Sequence, residues 1–122
     1  MKDLKHLIYF ENLLQEANND LVKQAKAEGK RAIGYTCYFM PEVLLDLPGC
    51  FSVRLRAPRC TSPDIATYYM SARVCHYARS LLERALEGGY NFLDAQMATE
   101  TCTGTCRFQE HLQQKHIDSV KD

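Results

Sequence analysis

The sequence predicts an α/β fold in which a parallel sheet of about three strands is flanked by helices. Helical and strand-like patterns alternate along the 122 residues in the order α-β-α-β-α-β-α. Such alternation is typical of parallel strands whose connecting helices cover the faces of the sheet. This length suffices for one domain with one core, so we expect residues 1–122 to form a single α/β domain.

The first half of the chain predicts two helices and two strands. Residues 3–28 place apolar side chains near a 3.6-residue period, which predicts one helix that ends at Gly29. Residues 31–37 predict a short buried strand. Pro41 fits the first turn of a short helix, and the alternating residues 50–57 predict the second strand.

The second half predicts the remaining elements. Asp64 is the expected N-cap of a helix that should break near Ser71 and end at Gly88. Residues 90–99 predict the third strand, and a turn over residues 101–106 precedes the last helix. Three parallel strands with these helices correspond to half of a Rossmann-like domain.

Charge and hydropathy argue against two classes of partner. The 15 Lys and Arg residues balance the 15 Asp and Glu residues, so no basic surface is available for nucleic acid or for a membrane. Glu, Asp and Pro interrupt the apolar runs, so we expect no transmembrane span. The N-terminus is amphipathic and contains acidic residues, unlike a signal peptide, which favours the cytoplasm.

The main chemical signal is a set of six cysteines: Cys37, Cys50, Cys60, Cys75, Cys102 and Cys106. In a reducing compartment such clusters bind metal or do redox work more often than they form disulfides. The sequence has no C-x2-C pair, which argues against a zinc ribbon or a thioredoxin-type dithiol. Cys50 is expected to be a small buried hydrophobe, and for Cys60 an inert and a functional thiol remain equally open.

Three cysteines are predicted to share one rim of the sheet. Cys37 follows the first strand and Cys102 the third, and open α/β sheets bind ligands at the carboxyl ends of their strands. Cys75 lies in a predicted helix whose N-terminal part borders that rim. Thiolates hold iron–sulfur clusters, and three would leave one iron open for an outside ligand. The positive end of the helix that begins near Pro41 should stabilise the Cys37 thiolate.

Two stretches of the sequence resemble a known family. "GYTCYFMPEVLLDLPGCFSVRLRA" is similar to a family stretch of the form G-Y-x-C-x-Y-x-P-E-E, a small-residue turn and P-V-R-L-R. "YYMSARVCHYARSLLERALEGGYNFLDAQMATETC" resembles its continuation, Y-L-x4-C-x-Y-A-R-S-L-L-E, a strand and a D-T-C-D-like motif. The family comprises the 2-hydroxyacyl-CoA dehydratases and the related benzoyl-CoA reductase subunits, and the resemblance covers about residues 31–107.

The resemblance implies a subunit of an anaerobic, cytoplasmic lyase that carries a [4Fe-4S] cluster. It also implies a paralogous dehydratase subunit as partner and an ATP-dependent activator protein that injects one electron. The cluster would pass this electron to the thioester of an acyl-CoA substrate. The resulting ketyl radical anion would expel the hydroxyl group, so that water leaves.

Carried over by motif, Cys37 matches the first cluster cysteine, Cys75 the second and Cys102 the cysteine of the third motif. Val43 replaces the second acid of P-E-E, and Thr103 stands where the second Asp of D-T-C-D would be. Family subunits are much longer, and one cluster ligand also comes from their C-terminal half. The resemblance therefore predicts a fragment, a truncated gene product or a stand-alone remnant.

Three arginines are candidates for binding the cofactor. Arg54 and Arg56 are predicted to share one face of the second strand, where they would contact a phosphate or thioester. The alternative is a solvated edge. Arg79 lies on the helix face of Cys75 and is expected either near the cluster or in an ion pair with Glu83.

The sequence therefore predicts the cluster-binding domain of a 2-hydroxyacyl-CoA dehydratase-like enzyme that is inactive alone. A second hypothesis is a non-catalytic iron–sulfur electron-transfer or remnant protein of the same family. A third is a plain α/β domain whose cysteines belong to the core.

Overall fold

A computed structural model describes residues 4–37 and 39–121, with the backbone alone for residue 42 and residues 115–121. Its elements in chain order are α1 (Leu4–Leu14), α2 (Asp20–Ala27), β1 (Arg31–Tyr35), α3 (Glu42–Leu45), β2 (Cys50–Arg54), α4 (Asp64–Tyr69), α5 (His76–Leu86), β3 (Ala95–Met97) and α6 (Thr103–Lys121).

The three strands form one parallel sheet in the order β2-β1-β3, which confirms the predicted α/β fold. Strand β1 is central, and Gly34 pairs with Val53 on one side and with Gln96 on the other. Its glycine is required by close packing. A Cβ at Gly34 would lie 2.7 Å from Leu93 Cδ1 and 3.0 Å from Leu55 Cδ2.

The core lies mainly between the sheet and the helices of the second half. Its fully buried side chains include Leu55, Leu81, Leu82 and Phe108, each at most 1% exposed. Phe108 places α6 in this cluster. A polar contact also holds the sheet together where β1 and β3 begin. There, Asp94 Oδ2 accepts the Ala32 N–H at 2.7 Å.

Replacing Phe108 by alanine should lower the free energy of unfolding by about 3–5 kcal/mol, because a fully buried aromatic ring leaves a cavity. Phe39→Ala is the matched control, since Phe39 is 70% exposed and its loss should change stability by less than about 0.5 kcal/mol. Urea unfolding of both variants tests this. Equal destabilisation would contradict the placement of α6 against the core.

The prediction of one helix over residues 3–28 is wrong. Helix α1 ends at Leu14 and α2 begins at Asp20, with Asn19 as its N-cap. Asn19 Oδ1 accepts the Val22 N–H at 3.1 Å, and Asn19 Nδ2 donates to the Leu13 carbonyl at 3.2 Å. Asparagine side chains compete in this way with helical hydrogen bonds, and here they restart the helix.

Three boundaries in the second half also differ from the prediction. The helix after Pro63 does break before α5, as predicted, but Asp64 is its first residue and Pro63 is the N-cap. The third strand is confined to Ala95–Met97, because residues 88–93 form hydrogen-bonded turns. The predicted turn over residues 101–106 is mostly helix, since α6 begins at Thr103.

No helix among the described residues is long and apolar enough to cross a membrane.

Candidate functional site

The thiols of Cys37, Cys75 and Cys102 lie at the same rim of the sheet. Cys37 follows the carboxyl end of β1, and Cys102 lies between the end of β3 and α6. Cys75 immediately precedes α5. The Cys102 and Cys75 thiolates both contribute to the raised pKa of Cys37, and Gly104, two residues after Cys102, packs against Cys75 Sγ. The structure therefore brings together the three cysteines that the sequence predicts for this rim.

The prediction that Cys75 lies within a helix is wrong, because Cys75 is the N-cap of α5, which begins at His76. Its Sγ accepts the Ala78 N–H at 3.4 Å, so it occupies the position usually taken by a serine or aspartate oxygen. The first turn of α6 packs against it. A Cβ at Gly104 would lie 3.3 Å from Cys75 Sγ, which explains the glycine at this point.

The surroundings of Cys102 stabilise its thiolate. The pKa of Cys102 is lowered by hydrogen bonds from the Thr105 hydroxyl and N–H and from the Gly104 N–H, against a smaller opposing effect of burial. The Sγ lies 3.2 Å from Thr105 Oγ1 and 3.5 Å from Thr105 N. These donors belong to the first turn of α6, where the helix dipole also favours a negative charge.

Cys37 has the opposite environment. Burial raises the pKa of its thiol, the Cys102 and Cys75 thiolates raise it further, and Arg54 and the Thr36 side chain lower it. These causes act independently of the helix near Pro41, so its stabilisation of the Cys37 thiolate stays a prediction. Helix α3 has only four residues, so its dipole is small.

A phenol that the sequence analysis missed ties this rim together. Tyr77 Oη lies 2.8 Å from the Thr36 carbonyl oxygen and 2.7 Å from the Leu55 carbonyl oxygen. Burial raises the pKa of Tyr77, against smaller lowering effects of Arg54, so the phenol keeps its hydrogen and acts as a donor. The available signal was its place two residues after Cys75 in the C-x-Y motif.

Comparison with known proteins gives the same family as the motifs. The family model described as 2-hydroxyglutaryl-CoA dehydratase, D-component, matches residues 37–121. The chain belongs to this dehydratase family. A curated relative, the (R)-phenyllactyl-CoA dehydratase beta subunit of Clostridium sporogenes, is 28% identical over 93 residues. The match covers 76% of the chain and 25% of the relative, so the chain spans about a quarter of that protein's length. No solved structure matches the chain.

Of the two candidate arginines in and after β2 of this dehydratase-family chain, one lies at the cysteine rim and the other does not. Arg54 lies at the rim, where its Nε donates to the Thr36 carbonyl at 3.4 Å and its charge lowers the pKa of Cys37. Arg56 lies outside the strand, because β2 ends at Arg54. Its Nη2 donates to the carbonyl of Leu13 at 3.5 Å, in the α1 helix.

Arg79 bends back onto the segment before α5, where its Nε donates to the Val74 carbonyl at 3.1 Å. The alternative ion pair with Glu83 is not among the ion pairs of the described residues. Glu83 is buried instead, and its Oε2 accepts the Ala66 N–H at 2.7 Å. Arg79 thus lies beside the Cys75 segment.

The other cysteines have different surroundings. Cys50 packs against the cluster of Ile33, Met40 and Leu45, in agreement with its expected role as a small hydrophobe. All six thiols are free.

The donor set of the rim fits an iron–sulfur cluster in its chemistry. It consists of three thiols, and two of them lie at helix N-termini whose backbone N–H groups stabilise negative sulfur. Across the described ranges 4–37 and 39–121, however, no group of three or more His, Cys, Asp or Glu side chains is placed to hold a metal ion. Binding of a cluster would therefore have to draw the three sulfurs closer together.

Proposed function

We propose that the chain is the cluster-binding part of a 2-hydroxyacyl-CoA dehydratase-like lyase, with Cys37, Cys75 and Cys102 as ligands of a [4Fe-4S] cluster. The observation that supports the proposal is that Cys37 and Cys102 follow the carboxyl ends of β1 and β3, while the first turn of α6 packs against Cys75 at the start of α5. The motifs that supply them are separated in sequence, and the family model covers all three.

A bound cluster would supply single-electron chemistry toward an acyl-CoA thioester. The chain's own residues hold its ligands. The first turn of α6 lowers the pKa of Cys102, and the first turn of α5 donates an N–H to Cys75. Arg54 offsets negative charge beside Cys37, which suits a site where anionic sulfur accumulates.

Among the three candidate arginines, Arg54 is best supported as a contact to the cofactor or to the thioester, because it lies beside Cys37. Arg79 is the second candidate, since it contacts the backbone just before Cys75. The position of Arg56 toward Leu13 favours a structural contact instead.

The proposal includes a paralogous dehydratase subunit as partner, an ATP-dependent activator and an acyl-CoA substrate. Helix α1 favours the presence of a partner polypeptide, because none of its residues is buried. It exposes six large apolar side chains: Leu4, Leu7, Ile8, Tyr9, Phe10 and Leu14. A short helix of this composition is stabilised by burial against other protein. Residues 1–122 would then be one domain of a larger cytoplasmic, oxygen-sensitive assembly.

Leu7→Glu should weaken association with a dehydratase-type partner subunit by at least about tenfold, since a charge would be buried in an apolar contact. The matched control is Asn12→Glu, which adds the same charge at a polar position of α1. Sedimentation of each variant mixed with the partner measures the change. Equal weakening in both variants, or none in either, would contradict the proposed role of α1.

A non-catalytic iron–sulfur protein of the same family is the second candidate. Thr103 favours it, because this residue replaces an acid in the third motif, directly after Cys102. Both candidates require the cluster. The test of the shared proposal is anaerobic reconstitution of the chain with iron and sulfide, followed by an iron assay and an absorption spectrum. A chain that gains no iron and no sulfur-to-iron absorption would exclude both.

A further inference from the structure

We propose that Tyr77 is a positioning residue that keeps the chain segments carrying Cys37 and Cys75 next to each other. This inference rests on the proposed cluster site and deepens it, because it names the contact that joins the two ligand-bearing segments. Tyr77 does not touch the cluster in this proposal. It acts through the backbone that carries the sulfurs.

The phenol links two pieces of chain that are far apart in sequence. Tyr77 Oη lies 2.8 Å from the carbonyl oxygen of Thr36, the residue before Cys37. Its own position is two residues after Cys75, in the first turn of α5. The single phenol hydrogen, which the carbonyl oxygens of Thr36 and Leu55 share, therefore joins the backbone next to Cys37 to the helix that Cys75 caps.

The same oxygen also reaches the second strand. It lies 2.7 Å from the carbonyl oxygen of Leu55, just past the end of β2. At this point the ladder between β1 and β2 makes one further bond, from the Leu55 N–H to the Tyr35 carbonyl at 2.8 Å. Arg54 Nε donates to the Thr36 carbonyl at the longer distance of 3.4 Å. Tyr77 thus lies where both strands leave the sheet and enter the rim.

The sulfurs must also move for a cluster to bind, because the described side chains do not form a compact metal site. If the two cysteine segments were free to move relative to each other, metal binding would have to order them. The entropy lost in this ordering would lower the affinity for the metal. Residues that orient metal ligands typically contribute about 10–100-fold in affinity. We expect Tyr77 to contribute in this range.

Tyr90 provides a matched control in the same chain. Its hydroxyl donates to the carbonyl of Arg56 at 2.7 Å, one residue further along the segment that follows β2. Each tyrosine thus bonds a main-chain carbonyl at the exit of β2, but the Tyr90 bond does not involve the cysteine segments. Tyr77→Phe and Tyr90→Phe each remove one oxygen and keep the ring.

The first readout is made on the metal-free chain under reducing, oxygen-free conditions. A short bifunctional thiol reagent is added, and peptide mapping measures the yield of the Cys37–Cys75 cross-link. We expect this yield to fall severalfold in Tyr77→Phe and to match the wild type in Tyr90→Phe. Far-UV circular dichroism and thermal unfolding check that both variants fold.

The second readout is titration with Co²⁺ alone, followed by the sulfur-to-cobalt absorption. Tyr77→Phe should weaken binding by about 10–100-fold, whereas Tyr90→Phe should not change it. Unchanged cross-linking in Tyr77→Phe, an equal loss in Tyr90→Phe, or global unfolding of Tyr77→Phe would each overturn the proposal, the last because it would make Tyr77 a general structural residue. If the wild type binds no Co²⁺ through these thiols, the proposed cluster site fails, but the cross-link still decides the role of Tyr77.

Discussion

Replacing Cys37 or Cys75 by serine should remove most of the iron that the reconstituted chain binds. Each substitution exchanges a proposed thiolate ligand for a hydroxyl that stays protonated and binds iron poorly. With only three thiolates on the rim, the loss of one leaves two, which is too few to retain a cluster. Cys102→Ser should have the same effect, because hydrogen bonds from the first turn of α6 lower the pKa of the Cys102 thiol.

The matched control is Cys50→Ala. Cys50 is half-buried like Cys37, but it packs against Ile33, Met40 and Leu45 and not at the rim. Its replacement should leave the iron content unchanged. Iron and acid-labile sulfide are assayed per folded chain for all four variants. Equal iron loss in Cys50→Ala and Cys37→Ser would show that the ligands have been assigned wrongly.

The isolated chain should show no dehydratase turnover. The proposed reaction needs a site for the CoA tail, a dry pocket around the reacting acyl group and a docking surface for the activator. A domain of this size uses most of its apolar surface for its own core. Strand β3 has only three residues, and the chain spans about a quarter of its curated relative.

The assay supplies activator, ATP, reductant and a panel of 2-hydroxyacyl-CoA esters, with and without a full-length dehydratase-type subunit. Turnover that requires the added subunit would support the proposed lyase. Cys37→Ser in the same mixture is the control that separates activity of this chain from activity of the partner alone. Turnover by the isolated chain would contradict the prediction, and a cluster-bearing chain without turnover in any mixture would favour the electron-transfer alternative.

The sheet could be predicted from sequence because its signal is local. Residues 31–35 are a short apolar run with a glycine, and turn residues bound them. The helix boundaries were harder to predict, because they depend on side-chain hydrogen bonds that compete with the backbone. Asn19 restarts the first helical segment in this way, and Thr105 helps to begin α6 before the predicted position.

The candidate site was only partly accessible from sequence. The rule for carboxyl ends of parallel strands placed Cys37 and Cys102 together, and the predicted helix that borders this rim added Cys75. No periodicity indicates that Tyr77 meets Thr36, because that contact spans 41 residues and depends on how α5 packs on the sheet. Arg56 was misplaced for a related reason, since β2 ends at Arg54 and the Arg56 side chain contacts Leu13, 43 residues away.

The most direct test of the central claim is a crystal structure of the anaerobically reconstituted chain, with anomalous scattering measured at the iron absorption edge. The proposal predicts iron peaks beside the Sγ atoms of Cys37, Cys75 and Cys102, at the carboxyl end of β1. Iron bound elsewhere, or iron in contact with fewer than two of these three sulfurs, would contradict it.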